Sequence, residues 1–296
     1  ILLPAPIWFS AHFLICWSVL LLGISAAKAR GGNPAFHNAP KSQYYFIDSD
    51  DDEARKPAYK FGDTLVDPTN WHRITGFTNN DDGYAFTTAN DSISFVHANN
   101  TVRLPPKYVT TNGYLKLTVD SFYIPTLTSP ANGTMPTGPA SLFEAIVCPL
   151  WGDMEFRTGG DSSKVFYRMT VDSCYVTYYN LFLKGTNGAV RATFQVAFSK
   201  TDSSITFNYK SFVGSFNGTP AALVFQNAAT IGGQNEGGYY GTMYLARGTY
   251  YAQCYSLAQY DMQVHNNMAV NFIRVIPTFS RSLPLHKPSN NRSYMF

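Results

Sequence analysis

The stretch Glu144-Ala145-Ile146-Val147-Cys148-Pro149-Leu150-Trp151-Gly152-Asp153 decides the fold. An uncharged apolar run closes on a proline, a large aromatic and a Gly-Asp step, as a buried strand does when it leaves a core and stops. Upstream, Val109-Thr110-Thr111 and Tyr114-Leu115-Lys116-Leu117-Thr118-Val119 flank Asn112-Gly113. That pair is the strongest short hairpin signal, because both residues tolerate positive φ. Downstream, Val165–Met169 and Tyr175–Tyr179 are two strands across a short polar stretch. Thr193–Phe198 and Ile205–Tyr209 alternate with period 2 across the turn Thr201-Asp202-Ser203-Ser204, so Phe194, Val196 and Phe198 share one face. Ala222–Phe225 and Tyr239–Leu245 read as two further strands, and Ala140–Ala145 as one short helical turn. No stretch beyond the first thirty residues keeps a helical period over several turns. The expectation is an all-β chain: an antiparallel β-sandwich with an N-terminal hydrophobic leader helix and few other helices.

Composition agrees with half-buried sheets. In 296 residues charged side chains are 14% and aromatics 16%, with 20 Tyr and 22 Phe. That excludes a disordered chain or a coiled coil. A formal charge of +3, with Lys and Arg scattered, gives no argument for a nucleic-acid partner.

Residues 1–29 differ from the rest. Ile7–Ala27 is almost uncharged around Phe13–Leu22, and the small residues Ser25-Ala26-Ala27 and Ala27-Lys28-Ala29 suit signal peptidase. A cleaved signal peptide is expected, with a membrane anchor as the alternative and membrane contact only if the leader stays attached. Five Asn-x-Ser/Thr sequons, at Asn90, Asn99, Asn132, Asn217 and Asn291, fit export and are glycosylation candidates. Without the leader three cysteines remain, Cys148, Cys174 and Cys254, which predicts one disulfide with its pairing open. Residues 30–60 read as a polar and acidic linker. Its run Asp48-Ser49-Asp50-Asp51-Asp52-Glu53 fails as a calcium loop, since Glu53 stands where a Gly is needed and Tyr59 where a Glu is. Residues 61–250 form the expected β domain, and 251–296 a C-terminal extension with a flexible last part.

Six pieces in this order resemble the nidogen-like (NIDO) domain of extracellular matrix and cell-surface proteins. They are Tyr108–Leu115 with its Asn-Gly-Tyr hairpin, Ile146–Asp153, Val165–Arg168, Thr193-Phe194-Gln195-Val196, Ile205–Tyr209 and Leu223–Ala228. The likeness covers roughly Phe61 to Arg247. Leu150 stands where the family has an aromatic, and Gly152 where Ala is common. The resemblance implies a non-catalytic β domain used in matrix assembly or adhesion, with an extracellular protein or matrix partner.

The motif residues Asn112, Gly113, Trp151 and Asp153 are the most distinctive positions. Asp153 reads either as a metal ligand or ligand-binding carboxylate at a sandwich edge, or as a cap on the turn after the strand, with Trp151 as core filler; the second reading is preferred. The six histidines are isolated, with no His-x-His or His-Glu-x-x-His, and there is no Gly-x-Ser-x-Gly elbow, P-loop or dinucleotide fingerprint. Catalytic residues, metal ligands and cofactors are therefore expected to be none. The adjacent pairs Tyr178-Tyr179, Tyr239-Tyr240 and Tyr250-Tyr251 should each turn one ring outward, suiting protein or glycan contact. The expected function is a secreted or surface glycoprotein module for matrix assembly or cell adhesion. A carbohydrate-binding module or a self-assembling surface subunit is the alternative.

Overall fold

A computed structural model of the chain describes residues 44–50, 56–62, 68–87, 92–97, 100–117, 145–159, 162–234, 241–245 and 264–274. The leader, the sequons at Asn90, Asn99, Asn132 and Asn291, Cys254 and the tyrosine pairs 239–240 and 250–251 lie outside the described residues. In chain order the first strands are β1 (Tyr44–Asp48), β2 (His72–Ile74), β3 (Tyr84–Phe86), β4 (Ile93–His97), β5 (Asn100–Leu104), β6 (Tyr108–Thr110) and β7 (Leu115–Lys116). There follow β8 (Ile146–Trp151), β9 (Met154–Glu155), β10 (Lys164–Met169), β11 (Ser173–Leu183), β12 (Val190–Ser199) and β13 (Ile205–Phe216). The last are β14 (Thr219–Pro220), helix α1 (Ala221–Ala228), β15 (Thr230–Gln234), β16 (Gly241–Leu245) and β17 (Met268–Arg274).

All pairings are antiparallel, so the chain is all-β in class. A nine-stranded sheet runs β1-β17-β13-β12-β11-β10-β2, with β14 and β9 appended to β13 and β11. A six-stranded sheet runs β16-β15-β8-β7-β6-β3, and among the described residues β4 and β5 form a separate two-stranded sheet. The period-2 strands lie as the alternation predicts: Phe194, Val196 and Phe198 are all buried in one core. Both larger sheets contribute to that core, the six-stranded one through Val109, Leu115, Val147 and Leu150. Two tyrosine hydroxyls cross between the sheets: Tyr178 donates to the Thr110 carbonyl (3.1 Å) and Tyr209 to the Pro149 carbonyl (2.6 Å). A buried phenol needs such a partner, so these bonds fix how one sheet sits on the other.

Three sequence readings are corrected. Ala222–Phe225 lies in helix α1, where Pro220 stands at the N-cap and Ala221 and Phe225, one turn apart, are both buried. A short apolar run does not discriminate strand from helix, and the alanines and the proline favour the helix. Second, the folded unit reaches past both expected boundaries. β1 comes from the stretch read as linker and β17 from the one read as extension. They pair with each other from Tyr44↔Arg274 to Asp48↔Val270, and β17 continues onto β13. Third, Tyr178 and Tyr179 are both buried, although they face opposite sides of β11. Tyr179 meets Phe61 and Phe166 edge-on, at ring distances of 6.0 and 5.9 Å, because residues 56–62 cross the outer face of the sheet.

Candidate functional site

The motif residues converge where the β6–β7 hairpin meets the end of β8. The loop between β6 and β7 is wider than a two-residue Asn-Gly turn. The Thr110 N–H donates to the Tyr114 carbonyl (3.2 Å), and the Thr110 hydroxyl donates to the same oxygen (2.9 Å). Only Gly113 takes a positive φ, +74°. A Cβ there would overlap the Leu150 carbonyl oxygen, so glycine is required by conformation and by close approach together.

Asn112 is the clasp. It is 2% exposed. Its Oδ1 accepts from the Met154 N–H (3.1 Å) and its Nδ2 donates to Asp82 Oδ1 (2.7 Å). Its own carbonyl takes the Gly152 N–H (3.2 Å), and the Gly113 carbonyl takes the Leu150 N–H (3.3 Å). One side chain therefore ties three separate segments, at 82, 112 and 154. The turn after β8 thus has Asn112 on the Met154 N–H, a role the sequence reading gave to Asp153.

Trp151 is the core filler expected. It is wholly buried, 5.1 Å from the Tyr114 ring, in a small cluster with Ile146 and Cys148. A bulge explains how Leu150 joins the main core while its neighbour turns to the other cluster. Cys148 pairs with Gly232 and Trp151 with Thr230, so Pro149 and Leu150 together face Ile231. Cys148 and Cys174 are free thiols, fully buried in separate clusters, so the expected disulfide does not join these two. Burial pushes both thiols above their ordinary range, the state of inert structural cysteines.

Beside the clasp lie three carboxylates. One oxygen each of Asp81, Asp82 and Asp153 falls within 4.8 Å of the others, all half-buried. Lys184 Nζ is 2.6 Å from Asp81 Oδ2 and 3.9 Å from Asp153 Oδ1. The hydrogen bond to Asp81, then the charge of Asp153, raise the lysine pKa, so the ammonium stays charged and offsets the acids. As oxygen donors the three acids suit a hard cation, but calcium takes 6–8 such ligands and Lys184 already supplies positive charge here. Asp81, Asp82 and Lys184 were not singled out by sequence. The available signal was the turn-forming run Asn79-Asn80-Asp81-Asp82-Gly83, where Asp82 takes φ +52°. Its meeting with Asp153 depends on pairing, through the bridge of Asp81 to Glu155 and the bond from the Phe156 N–H to the Asn80 carbonyl (2.7 Å).

Asn217 is the one sequon among the described residues. It is exposed at the tip of the β13–β14 hairpin, with φ +49° followed by Gly218 at +78°, the two-residue turn that Asn-Gly favours.

No curated protein and no solved structure matches the chain. A family model described as NIDO related matches residues 62–296, which takes in the clasp, the Trp151 strand and both larger sheets except β1. The chain therefore belongs to the NIDO-related family.

Proposed function

We propose that this chain is a non-catalytic interaction module of a secreted or cell-surface glycoprotein, built as a two-layer sandwich and working in matrix assembly or adhesion. The observation that carries the reading is the family match over 62–296, since nidogen-like domains are extracellular modules. The geometry supports it in a second way. Asn112, Gly113 and Trp151 are committed to holding a sheet corner, and Lys184 offsets part of the charge of the nearby acids. Asn217 at an exposed hairpin tip offers a glycan an unobstructed attachment point.

The test is expression in a eukaryotic secretory host. The protein should reach the medium, lose apparent mass on endoglycosidase treatment, and lose one glycan in Asn217→Gln. The purified protein, coated on plastic, should capture extracellular matrix extract or support cell spreading. Retention in the cytosol, without glycan and without capture, overturns the reading.

A further inference from the structure

Four Asn-Gly pairs stand in the chain, at Asn112, Asn132, Asn187 and Asn217, and the one at Asn132 lies outside the described residues. The other three sit in different surroundings. Asn112 is 2% exposed and both atoms of its amide are engaged, Oδ1 by the Met154 N–H and Nδ2 by Asp82. Asn187 is exposed in the β11–β12 loop, but the Arg157 guanidinium lies against Gly188, 2.6 Å from where a Cβ would stand. Asn217 and Gly218 are both exposed. Beyond its chain neighbours, nothing lies within 4 Å of where a Cβ on Gly218 would stand. Among the described residues, neither the Asn217 side-chain amide nor the Gly218 N–H has a hydrogen-bond partner.

An asparagine can close on the next peptide nitrogen, and most readily before glycine, which has no Cβ to obstruct the approach. The Gly218 N–H gives up its proton, its nitrogen bonds to Asn217 Cγ, and the Cγ–Nδ2 bond breaks. Nδ2 takes up that proton and leaves as ammonia. The succinimide ring then adds water. Opening at Cγ leaves aspartate, and opening at the backbone carbonyl leaves isoaspartate, with the chain running through Cβ and Cγ. Amide and water are consumed, acid and ammonia are formed, and nothing is oxidised or reduced.

The ring closes only when the tip leaves its turn, with φ +49° at Asn217 and +78° at Gly218, so ease of opening sets the rate. Here β14 is only Thr219–Pro220, paired at Phe216↔Thr219 and Ser215↔Pro220, and proline has no N–H to give the ladder. So short a pairing at an exposed tip frays at little cost, whereas Asn112 must first break a buried clasp.

We propose that Asn217 is a self-modification site, where the Asn217-Gly218 peptide converts with time to aspartate and isoaspartate through a succinimide. The hairpin tip then carries a permanent negative charge, and the isoaspartate backbone, longer by one carbon, no longer fits the two-residue turn. Nδ2 is also the atom that would carry a glycan, so a converted copy has lost its acceptor. The site does not rest on the secretory reading. Its test uses chain without glycan, and its failure leaves that reading intact.

The full chain made in bacteria is incubated in native buffer at mildly acidic and mildly alkaline pH, and separately in denaturant. Peptide mass mapping reads the amide-to-acid mass gain at each Asn-Gly pair, and labelling by isoaspartate methyltransferase reads the isomer. In native buffer Asn217 should convert at least about tenfold faster than Asn112, whose amide is released only when its corner opens. It should also convert faster than Asn187, and faster at the higher pH, because the attacking nitrogen must lose its proton. In denaturant the gap between Asn217 and Asn112 should shrink to about twofold or less, since neither is then held. Asn217→Gln, a change at an exposed tip, should lose the conversion at this position while the other pairs keep theirs. Equal native rates at Asn217 and Asn112, a faster Asn187, a gap unchanged by denaturant, or a product without isoaspartate would each overturn the proposal.

Discussion

At the residue scale, the family's most recognisable positions are structural ties whose meaning depends on what they touch. Trp151 was legible as core filler, because a large aromatic at the end of an apolar run has few other uses. Gly113 was legible as a turn residue. Its second constraint, contact with the Leu150 carbonyl, was not, since it belongs to two segments far apart in sequence. Asn112 looked like half of a turn and is instead a buried bidentate clasp. The same distance in sequence hid the Asp81–Asp82–Asp153 cluster and its lysine. Here the electrostatics make a definite prediction. Lys184→Met removes the cation that faces these acids, so the variant should melt lower than the parent at low salt and regain stability on addition of millimolar calcium. Thermal melts with calcium or chelator check this, and a parent and variant with the same calcium response would contradict it.

At the element scale, alternation in β12 and β13 gave their faces correctly, and the register Phe194↔Tyr209 to Phe198↔Ile205 stacks the expected aromatics inside. What the pattern could not show was extension of the sheet beyond β13 by its two outlying strands. β1 follows a polar stretch and precedes an acidic one, so its five residues gave too short a signal to stand out. Yet Tyr44, Phe46 and Ile47 are buried, and Phe46 meets Tyr244 edge-on at 5.2 Å and Phe272 at 6.1 Å. A chain starting at Lys56 loses those three side chains from the core, at roughly 1.5–3 kcal/mol each, and bares the edge of β17. It should unfold at much lower denaturant concentration and tend to aggregate. Equilibrium unfolding and light scattering measure both, and a midpoint equal to that of the full chain would show that β1 adds nothing.

At the scale of the whole molecule, the two large sheets are joined by apolar packing and by phenol hydroxyls buried between them. Burial, first of all, pushes the Tyr178, Tyr209 and Tyr244 phenols well above their ordinary 10.0, and the Cys148 thiol above 9.0. Tyr244 is raised further by Asp48, whose Oδ2 accepts its hydroxyl at 2.8 Å. Folded pKa values above the unfolded ones give stability that is complete below about pH 9 and lost as the pH climbs toward the folded values. Unfolding free energy should thus fall steadily from pH 9 to 11, as denaturant titrations across that range would show; a flat profile would mean these groups ionise freely when folded. The corner where the β6–β7 hairpin meets the end of β8 rests most directly on Asn112, and equilibrium denaturation of Asn112→Ala is its sharpest test. A clasp that leaves the Met154 N–H and Asp82 unsatisfied when cut should lower stability by about 2–3 kcal/mol in a single cooperative transition. A midpoint indistinguishable from the parent's would show that the corner does not hold the fold together.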